Sequence, residues 1–264
     1  MLYATLIMKK LIYSATSILI VCFTFCKKKE ATPAPAATAS TSSTTTGTTN
    51  IYTIPAGLVA STGGNFCDLK TTYIFVNNGG TIIKDSVVEA RFYTEPLTAA
   101  TPTLISGGTV TLNGTNVPFQ TNFYTFIGSS PINLTSPLNW SVSGSGTVTA
   151  FSQSFTPSYP QYTGGNLLPD TCIKANGITM NVSGVSNNQS GVIVQLYSGA
   201  NYAFKYYLGT NGSVTFSAAE LSSFTINNPL TIAVSLTNVY SATLGGIKRG
   251  FTNSLQYSKF SYLK

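Results

Sequence analysis

The chain has 264 residues, of which 43% are hydrophobic and only 8% are charged, and it contains no histidine. Without an imidazole, the Ser-His-Asp triad, the Cys-His pair and every His-ligated metal site are excluded. The formal net charge is +7, but from residue 51 onward only nine Lys and Arg stand against six Asp and Glu. A nucleic-acid-binding surface needs a basic stripe. None remains in this part of the chain, so we expect no nucleic-acid partner.

The first 25 residues have the pattern of an export signal. Lys9 and Lys10 give a positive start, and residues 11–25 are uncharged and mostly apolar. An apolar stretch of this length suits a signal peptide, whereas a membrane-spanning helix needs about 20 such residues. The sequence therefore predicts a signal peptide over residues 1–25.

A cysteine, Cys26, closes the apolar stretch and is followed directly by Lys27-Lys28-Lys29-Glu30. This start resembles the mature N-terminus of lipid-anchored bacterial envelope proteins, in particular those of Bacteroidota. The resemblance implies lipidation of Cys26 and attachment to the outer membrane through that lipid, on its periplasmic or its outer side. Phe25 stands where such proteins have Gly, Ala or Ser. Two alternatives therefore stay open: a signal without lipidation, and ordinary cleavage near Ala34-Pro35-Ala36.

Residues 26–50 link this segment to the rest of the chain. From residue 31 they consist mainly of Ala, Thr, Ser and Pro and contain no large apolar side chain. Such a composition cannot form a core and predicts a disordered linker. An anchor, a linker and a globular part together predict a protein displayed from a membrane in the cell envelope.

The remainder of the chain matches itself at an offset near 104 residues. In both halves a proline lies twelve residues before a cysteine, as Pro55 before Cys67 and Pro160 before Cys172. The other matching segments are 62–65 with 163–166, 90–93 with 194–197, and 108–111 with 212–215. Their shared order and spacing predict two tandem copies, with domain 1 at residues 51–158 and domain 2 at residues 159–264.

Each copy is predicted to be all-β. Apolar side chains alternate at Val192, Val194 and Leu196 and again over residues 230–236, which is the period of a half-buried strand. Glycine-containing turn signals separate such segments, at 78–80, 113–114, 176–177, 211–212 and 245–246. One helical turn is predicted at residues 217–220, where a Ser and a Glu three residues later can cap each other. About 100 residues per copy, with a strand roughly every ten residues, resembles the seven-stranded antiparallel β-sandwich of immunoglobulin-like domains.

Beyond the signal, each copy has one cysteine, Cys67 and Cys172. Export permits disulfide formation, so one interpretation is a bridge between the two domains. The other is a pair of buried free thiols inherited by duplication. Neither cysteine has a histidine partner, and we therefore expect no thiol catalysis.

The carboxylates predict no active site. The six after residue 50 are Asp68, Asp85, Glu89, Glu95, Asp170 and Glu220. They show no calcium-loop spacing. Four residues apart on one strand, Asp85 and Glu89 would be about 13 Å apart, too far for the carboxylate pair of a glycosidase. We expect no catalytic residue, metal or cofactor, and a hydrolase would need folding to bring two carboxylates together.

Aromatic residues are abundant, with 15 Tyr and 15 Phe. Tyr202, Phe204, Tyr206 and Tyr207 cluster around Lys205. If exposed, they would form a ligand platform on which sugar rings stack; if buried, they belong to the core. Separately, the segment 85–87 (Asp-Ser-Val) resembles the short O-glycosylation acceptor of exported Bacteroidota proteins, which implies modification of Ser86.

Taken together, these features predict a non-enzymatic, lipid-anchored envelope protein that presents two β-sandwich domains for binding or adhesion, with a glycan as the expected ligand. One alternative is a structural or assembly lipoprotein that binds another envelope protein. A second is a polysaccharide-processing hydrolase.

Overall fold

The computed structural model describes residues 66–94, 103–121, 123–128, 134, 137–188, 192–207 and 212–264. The described part is all-β, as predicted, with seventeen strands and two short 3-10 helices at Gly164–Leu167 and Lys174–Asn176. The strands are β1 Phe66–Asn78, β2 Thr81–Tyr93, β3 Leu104–Ile105, β4 Val110–Leu112, β5 Thr115–Asn116, β6 Tyr124–Gly128, β7 Leu138–Val142, β8 Phe151–Phe155, β9 Gln161–Tyr162, β10 Thr171–Cys172, β11 Ile178–Val182, β12 Val185–Ser186, β13 Val192–Ser198, β14 Asn201–Tyr207, β15 Gly212–Phe216, β16 Asn228–Leu244 and β17 Ile247–Leu263.

Nine of these strands form one large sheet. Its order is β14-β13-β16-β17-β1-β2-β3, with β6 also paired to β2 and β10 also paired to β17. A four-stranded sheet has the order β5-β4-β7-β8, and two small sheets pair β11 with β15 and β9 with β12. The predicted strands near residues 88–92, 110–112, 192–197 and 230–237 all fall within observed strands.

The tight hairpins follow from residues that tolerate positive φ. Gly79 and Gly80 join β1 to β2 with φ of 58° and 90°, and Gly245 and Gly246 join β16 to β17 with φ of 59° and 77°. L-residues with a Cβ rarely adopt these angles, whereas glycine does so at little cost. The predicted turns at these two positions are confirmed.

Side chains alternate between the two faces of the large sheet, and one face carries the hydrophobic core. We call it the core face. It contributes to two buried clusters. One is built around Val194, Val234 and Phe216, and the other around Leu69, Phe92 and Trp140. The second layer is formed by the β11–β15 pair, which contributes to the first cluster, and by the four-stranded sheet, whose strands β4 and β7 contribute to the second. The architecture is therefore sandwich-like.

The opposite face, which we call the polar face, is also largely buried, although the alternation had predicted half-buried strands. Residues 249–259 of β17 are all buried, and so are residues 86–93 of β2. On the polar face of β17 these residues include Thr252, Ser254, Gln256 and Ser258, which are at most 5% exposed. The sequence alternation correctly separates the two faces but does not show that the polar one is shielded from solvent.

The sequence predicted purely antiparallel sheets, but the large sheet is mixed, because it contains parallel pairs. Strand β1 runs parallel to β17 over ten residue pairs, from Asp68 with Gly250 to Asn77 with Lys259. Strand β10 also runs parallel to β17, farther along it. Because β1 and β17 come from opposite halves of the chain, strands of both halves share one hydrogen-bonded sheet. Two separate immunoglobulin-like domains therefore stay a prediction.

The large sheet has two distinct ends. At the proximal end, β1 begins and the β16–β17 hairpin turns at Gly245 and Gly246. At the distal end, β17 finishes at Leu263, and the β1–β2 and β13–β14 hairpins turn beside it. Thirteen residues separate Gly250 from Leu263 along β17, which corresponds to about 40 Å.

Candidate ligand-binding surface

Exposed apolar side chains are concentrated at the distal end of the large sheet. Among the described residues eight large hydrophobic side chains are exposed, and six of them lie at this end. These six are Ile82, Leu167, Ile173, Tyr202, Ile226 and Tyr262. Their positions follow from ladder register and hydrogen bonds: Ile82 lies opposite Asn77, Tyr202 opposite Tyr197, and Tyr262 opposite Pro229. Tyr202 and Tyr262 lie on the polar face, whereas Ile82, opposite Asn77, lies on the core face. A concentration of exposed apolar side chains at one end of a sheet makes that end the candidate interaction site.

A row of aromatic residues crosses four strands on the polar face at this end. Tyr202 of β14 is paired with Tyr197 of β13, which is paired with Thr231 of β16, which in turn is paired with Phe260 of β17. Three spacings between neighbouring strands give the row a length of about 14 Å. We call this row, together with the adjacent Phe204 and Tyr262, the distal aromatic strip. Its exposed members are Tyr202 at 47% and Tyr262 at 39%, whereas Tyr197 is buried and Phe260 is partly buried against Ile74, Val76 and Val87.

The rings of Tyr202 and Phe204 are nearly parallel. They stand two residues apart on β14, their centroids are 6.3 Å apart, and the angle between their planes is 9°. Side chains at i and i+2 project from the same face of a strand, so the two rings form a ledge at the outer edge of the sheet. Tyr206 and Tyr207, the other two residues of the predicted platform, continue the strand opposite Ile193 and Val192. The structure thus brings part of the predicted platform together and leaves Tyr202 exposed.

The other end of the strip is fixed by β17 and the loop before β16. Alternation along β17 places Phe260 and Tyr262 on the polar face, while Lys259 and Leu263 lie on the core face. The hydroxyl of Tyr262 donates a hydrogen bond of 2.9 Å to the carbonyl of Asn227, and the Asn227 amide donates one of 2.7 Å to the carbonyl of Leu263. These bonds hold the Tyr262 ring in place while it stays partly exposed.

Tyr197, Phe260 and Tyr262 belong to this surface but were not among the residues predicted from the sequence. Their alternation with core residues was visible in the sequence, as in Phe260-Ser261-Tyr262-Leu263. What could not be read from it is that β13, β14, β16 and β17 are neighbours in register, because strand pairing over long sequence separations is decided by the tertiary fold.

Three lysines near the distal end are engaged with other parts of the protein. Lys205 donates to the Thr215 carbonyl and forms an ion pair of 3.1 Å with Glu220. Lys259 donates to the Leu168 carbonyl at 2.5 Å and lies 2.9 Å from Asp170. Lys174 donates to the carbonyls of Ser222 and Phe224, at 3.0 and 2.7 Å. The ammonium groups of these three lysines therefore bind carbonyl and carboxylate groups of the protein itself.

A second notable group is a buried charge cluster on the polar face, nearer the proximal end. It consists of Asp68 and Lys70 of β1, Glu89 and Arg91 of β2, and Thr252 of β17. Ladder register sets Asp68 opposite Arg91 and Lys70 opposite Glu89. The Thr252 hydroxyl donates to Asp68 at 2.7 Å, and Glu89 lies 3.4 Å from Arg91 and 4.0 Å from Lys70.

This cluster places two of the six carboxylates, Asp68 and Glu89, on one face of neighbouring strands, which a hydrolase would require. Burial raises the pKa of Asp68, although the hydrogen bond from Thr252 and the charges of Lys70 and Arg91 act in the opposite direction. The Glu89 side chain is only 9% exposed and contacts both cations. A substrate would have to displace these contacts to reach the pair, so the arrangement favours internal charge compensation.

The two thiols that were candidates for a disulfide are free and buried. Cys67 precedes Asp68, which pairs with Gly250 of β17, whereas Cys172 pairs with Leu263. Both neighbours lie along the same strand, so the cysteines are about 40 Å apart, far beyond the roughly 7 Å between Cα atoms that a disulfide allows. The predicted bridge is therefore wrong, and the alternative of two buried thiols describes the structure.

Ser86, the predicted glycosylation acceptor, lies in the middle of β2. It pairs with Tyr73 on one side and with Gly128 on the other, and it is 3% exposed. Attachment of a sugar requires an accessible hydroxyl, because the transferred group must replace its proton. The folded chain does not offer Ser86 for this modification, which corrects the prediction made from the tripeptide.

The predicted signal peptide, Cys26 and the linker of residues 26–50 lie outside the described residues. Within the described ranges, no helix has the length and apolar character needed to cross a membrane. Nor do three or more His, Cys, Asp or Glu side chains in these ranges come together in a way that could hold a metal ion. Comparison with known proteins gives no match to a family model, a curated protein or a solved structure.

Proposed function

We propose that this protein is a non-enzymatic, lipid-anchored protein of the cell envelope that binds glycans through its distal aromatic strip. The observation that carries the proposal is the concentration of exposed apolar side chains at one end of the large sheet. Aromatic faces accept the apolar C–H surface of sugar rings. The nearly parallel rings of Tyr202 and Phe204 offer such faces at the edge of the sheet.

The position of the chain's entry into the sheet supports display away from an anchor. Strand β1 begins at the proximal end, so the preceding 65 residues join the sheet there. The strip lies at the opposite end, about 40 Å away along β17. The strip therefore lies at the end of the sheet opposite to the one where the chain enters it. This arrangement suits binding or adhesion at the outer membrane.

Binding to immobilised polysaccharides tests the proposal. Tyr202→Ala and Phe204→Ala should each weaken binding about tenfold, since exposed aromatic contacts contribute most of the energy at such surfaces. Phe119→Ala is the matched control, because Phe119 is 49% exposed but lies against Tyr124, away from the strip. Equal binding by all three variants would exclude the strip as the ligand site.

The anchor is tested separately. Cells that produce the full chain are fed a palmitate analogue, and the protein is examined for the incorporated lipid. Incorporation that is lost in Cys26→Ser supports the anchor, whereas no incorporation in the unmodified chain excludes it. Membrane fractionation of the same cells shows whether the protein is in the outer membrane.

The proposal includes an origin by duplication, with residues 51–158 and 159–264 as two immunoglobulin-like units. In its support, the two hydrophobic clusters divide largely along the chain: one draws mainly on residues before 158 and the other mainly on residues after it. The equivalent segments β4 and β15 both lie outside the large sheet, β4 in the four-stranded sheet and β15 in the pair with β11, and their residues Val110 and Val214 are both buried. Expression of each half alone tests whether either unit folds independently.

A structural or assembly role is a second candidate, favoured by the aliphatic part of the distal surface. Leu167, Ile173 and Ile226 are 62%, 51% and 51% exposed. Exposed aliphatic side chains mark protein interaction surfaces, and they lack the aromatic faces on which sugar rings stack. Photo-crosslinking groups placed at Ile173 and Ile226 should trap one dominant envelope protein in cells, while the same group at Phe119 should not.

A further inference from the structure

Resting on the proposed glycan-binding function, we propose that the ligand of the distal aromatic strip is an uncharged glycan longer than a single sugar unit. The strip itself carries no charge: its members are Tyr197, Tyr202, Phe204, Thr231, Phe260 and Tyr262. Recognition of uronate, sulfate or phosphate groups needs cations that can turn toward the ligand. The charges near the strip therefore decide the class of glycan.

The lysines nearest to the strip point elsewhere. By register Lys205 is paired with Val194 and Lys259 with Ile232, so both lie on the core face, opposite to the strip. Both are also buried and bonded to loop groups there. Lys84 is paired with Phe75 on the same core face and lies 5.8 Å from its ring.

Two charged residues remain close to the Tyr262 end. Asp170 contacts Lys259, and its backbone carbonyl accepts a hydrogen bond from the Tyr262 amide. Lys264 directly follows β17 and is exposed. A carboxylate at this end opposes binding of an anion, and Lys264 is not part of the aromatic row. Charge complementarity thus favours an uncharged ligand.

The extent of the strip sets the length of the ligand. Its two exposed aromatic residues, Tyr202 on β14 and Tyr262 on β17, lie at opposite limits, three strand spacings or about 14 Å apart across the sheet. Thr231, between them, offers a hydroxyl to the ligand, while the aromatic residues offer apolar surface. A single sugar would contact only part of the row, and an oligosaccharide contacts aromatic residues at both limits.

The experiment measures binding of the full-length chain to two sets of polysaccharides. The uncharged set is dextran, mannan and xylan, and the anionic set is alginate, polygalacturonate and heparin. We expect binding to a member of the uncharged set, with little change between low and high salt because no ion pair is screened. Tyr202→Ala and Tyr262→Ala should each reduce that affinity about tenfold, whereas Lys264→Ala and Phe119→Ala should not. A monosaccharide should compete poorly, and competition should rise with oligosaccharide length.

The outcomes separate this inference from the proposed function. Binding only to the anionic set, weakened by salt and by Lys264→Ala, would overturn the uncharged ligand while leaving glycan binding in place. Full competition by a monosaccharide would overturn the requirement for an oligosaccharide. Binding to neither set would overturn the glycan-binding function itself. Circular dichroism of each variant confirms that a loss of binding is not a loss of folding.

Discussion

The hydroxyl of Thr252 donates a hydrogen bond of 2.7 Å to the carboxylate of Asp68, although the two residues are 184 positions apart in the chain. This bond crosses the parallel β1–β17 ladder, where the first and last described strands of the chain meet. It also lies within the buried charge cluster of Lys70, Glu89 and Arg91. At this position the face of the junction that carries Asp68 and Thr252 is polar, whereas the other face carries Leu69 and Phe251 of the hydrophobic core.

Replacing Asp68 by asparagine should raise stability at neutral pH. Burial raises the pKa of Asp68 in the folded protein, so the folded state holds this proton more tightly than the unfolded state does. The ionised carboxylate consequently costs stability at neutral pH, and this cost shrinks as the pH falls below the folded-state pKa and is absent below the unfolded-state pKa. Asp68→Asn keeps an oxygen to accept the Thr252 hydrogen bond and carries no charge.

Denaturant unfolding at several pH values checks this expectation. The midpoint for Asp68→Asn should exceed that of the unmodified chain near pH 7, and the difference should shrink toward acidic pH. Thr252→Val serves as a control that removes the hydrogen bond and leaves the carboxylate in place. If Asp68→Asn lowers the midpoint near pH 7 and this loss shrinks toward acidic pH, the charge of Asp68 is stabilising and the expectation is wrong.

Replacing Glu220 should destabilise the protein above about pH 4.5 more than below it. Burial alone would raise the pKa of Glu220, but hydrogen bonds from the amide and hydroxyl of Ser217 and the contact with Lys205 outweigh it, and the pKa is lowered. A lowered folded-state pKa gives stability that is present above the unfolded pKa and is lost as the pH falls through the folded one.

We expect Glu220→Ala to cost about 2 kcal/mol at neutral pH, because it removes a cap and leaves the buried ammonium of Lys205 without its carboxylate. Glu220→Gln should cost about 1 kcal/mol, since an oxygen acceptor is kept. Ser223→Ala, at an exposed neighbouring position, should change stability by less than about 0.5 kcal/mol. Equal effects of Glu220→Ala at pH 3 and pH 7 would argue against the ionised carboxylate as the source.

The two partners of the Lys259–Asp170 ion pair should contribute unequally. Lys259 is buried and also donates to the Leu168 carbonyl, whereas the Asp170 side chain is 88% exposed. Lys259→Met should cost about 2 kcal/mol because the carbonyl loses its buried donor. Asp170→Ala should cost less than about 1 kcal/mol, as exposed ion pairs generally do. Thermal or denaturant unfolding of both variants measures the ratio, and similar losses would show that the ion pair itself dominates.

The cysteines Cys67 and Cys172 should resist alkylation in the folded protein. Burial raises the pKa of the Cys67 thiol to about 12 and also raises that of Cys172. The reactive thiolate is therefore scarce, and the reagent lacks access. Mass spectrometry after iodoacetamide treatment should find both residues unmodified without denaturant and modified in its presence. A peptide that joins the two cysteines under non-reducing conditions would contradict the structure.

Short-range features of this fold were predictable from the sequence. The hydrogen bonds between Ser217 and Glu220 were expected from their spacing and are confirmed, and the Leu221 amide donates to the Ser217 carbonyl at 3.2 Å, which closes the single helical turn that was predicted. The charge pattern of β1 and β2 was a further signal in the sequence for the pairing of these two strands. Asp68 and Lys70 alternate with core residues on one strand, and Glu89 and Arg91 do so on the other. Two such strands joined by a two-glycine turn set opposite charges against each other.

The sequence by itself determined which residues form strands, where the tight turns lie, and which side chains alternate, because these properties depend on neighbours a few residues apart. Only the tertiary structure decided that β1 lies beside β17, that Cys67 and Cys172 are far apart, that Ser86 is buried, and that Tyr202 and Phe260 share one row. These relationships depend on which strands pair and in which register. Pairing across more than a hundred residues is selected by burial of the whole core face and not by local sequence pattern.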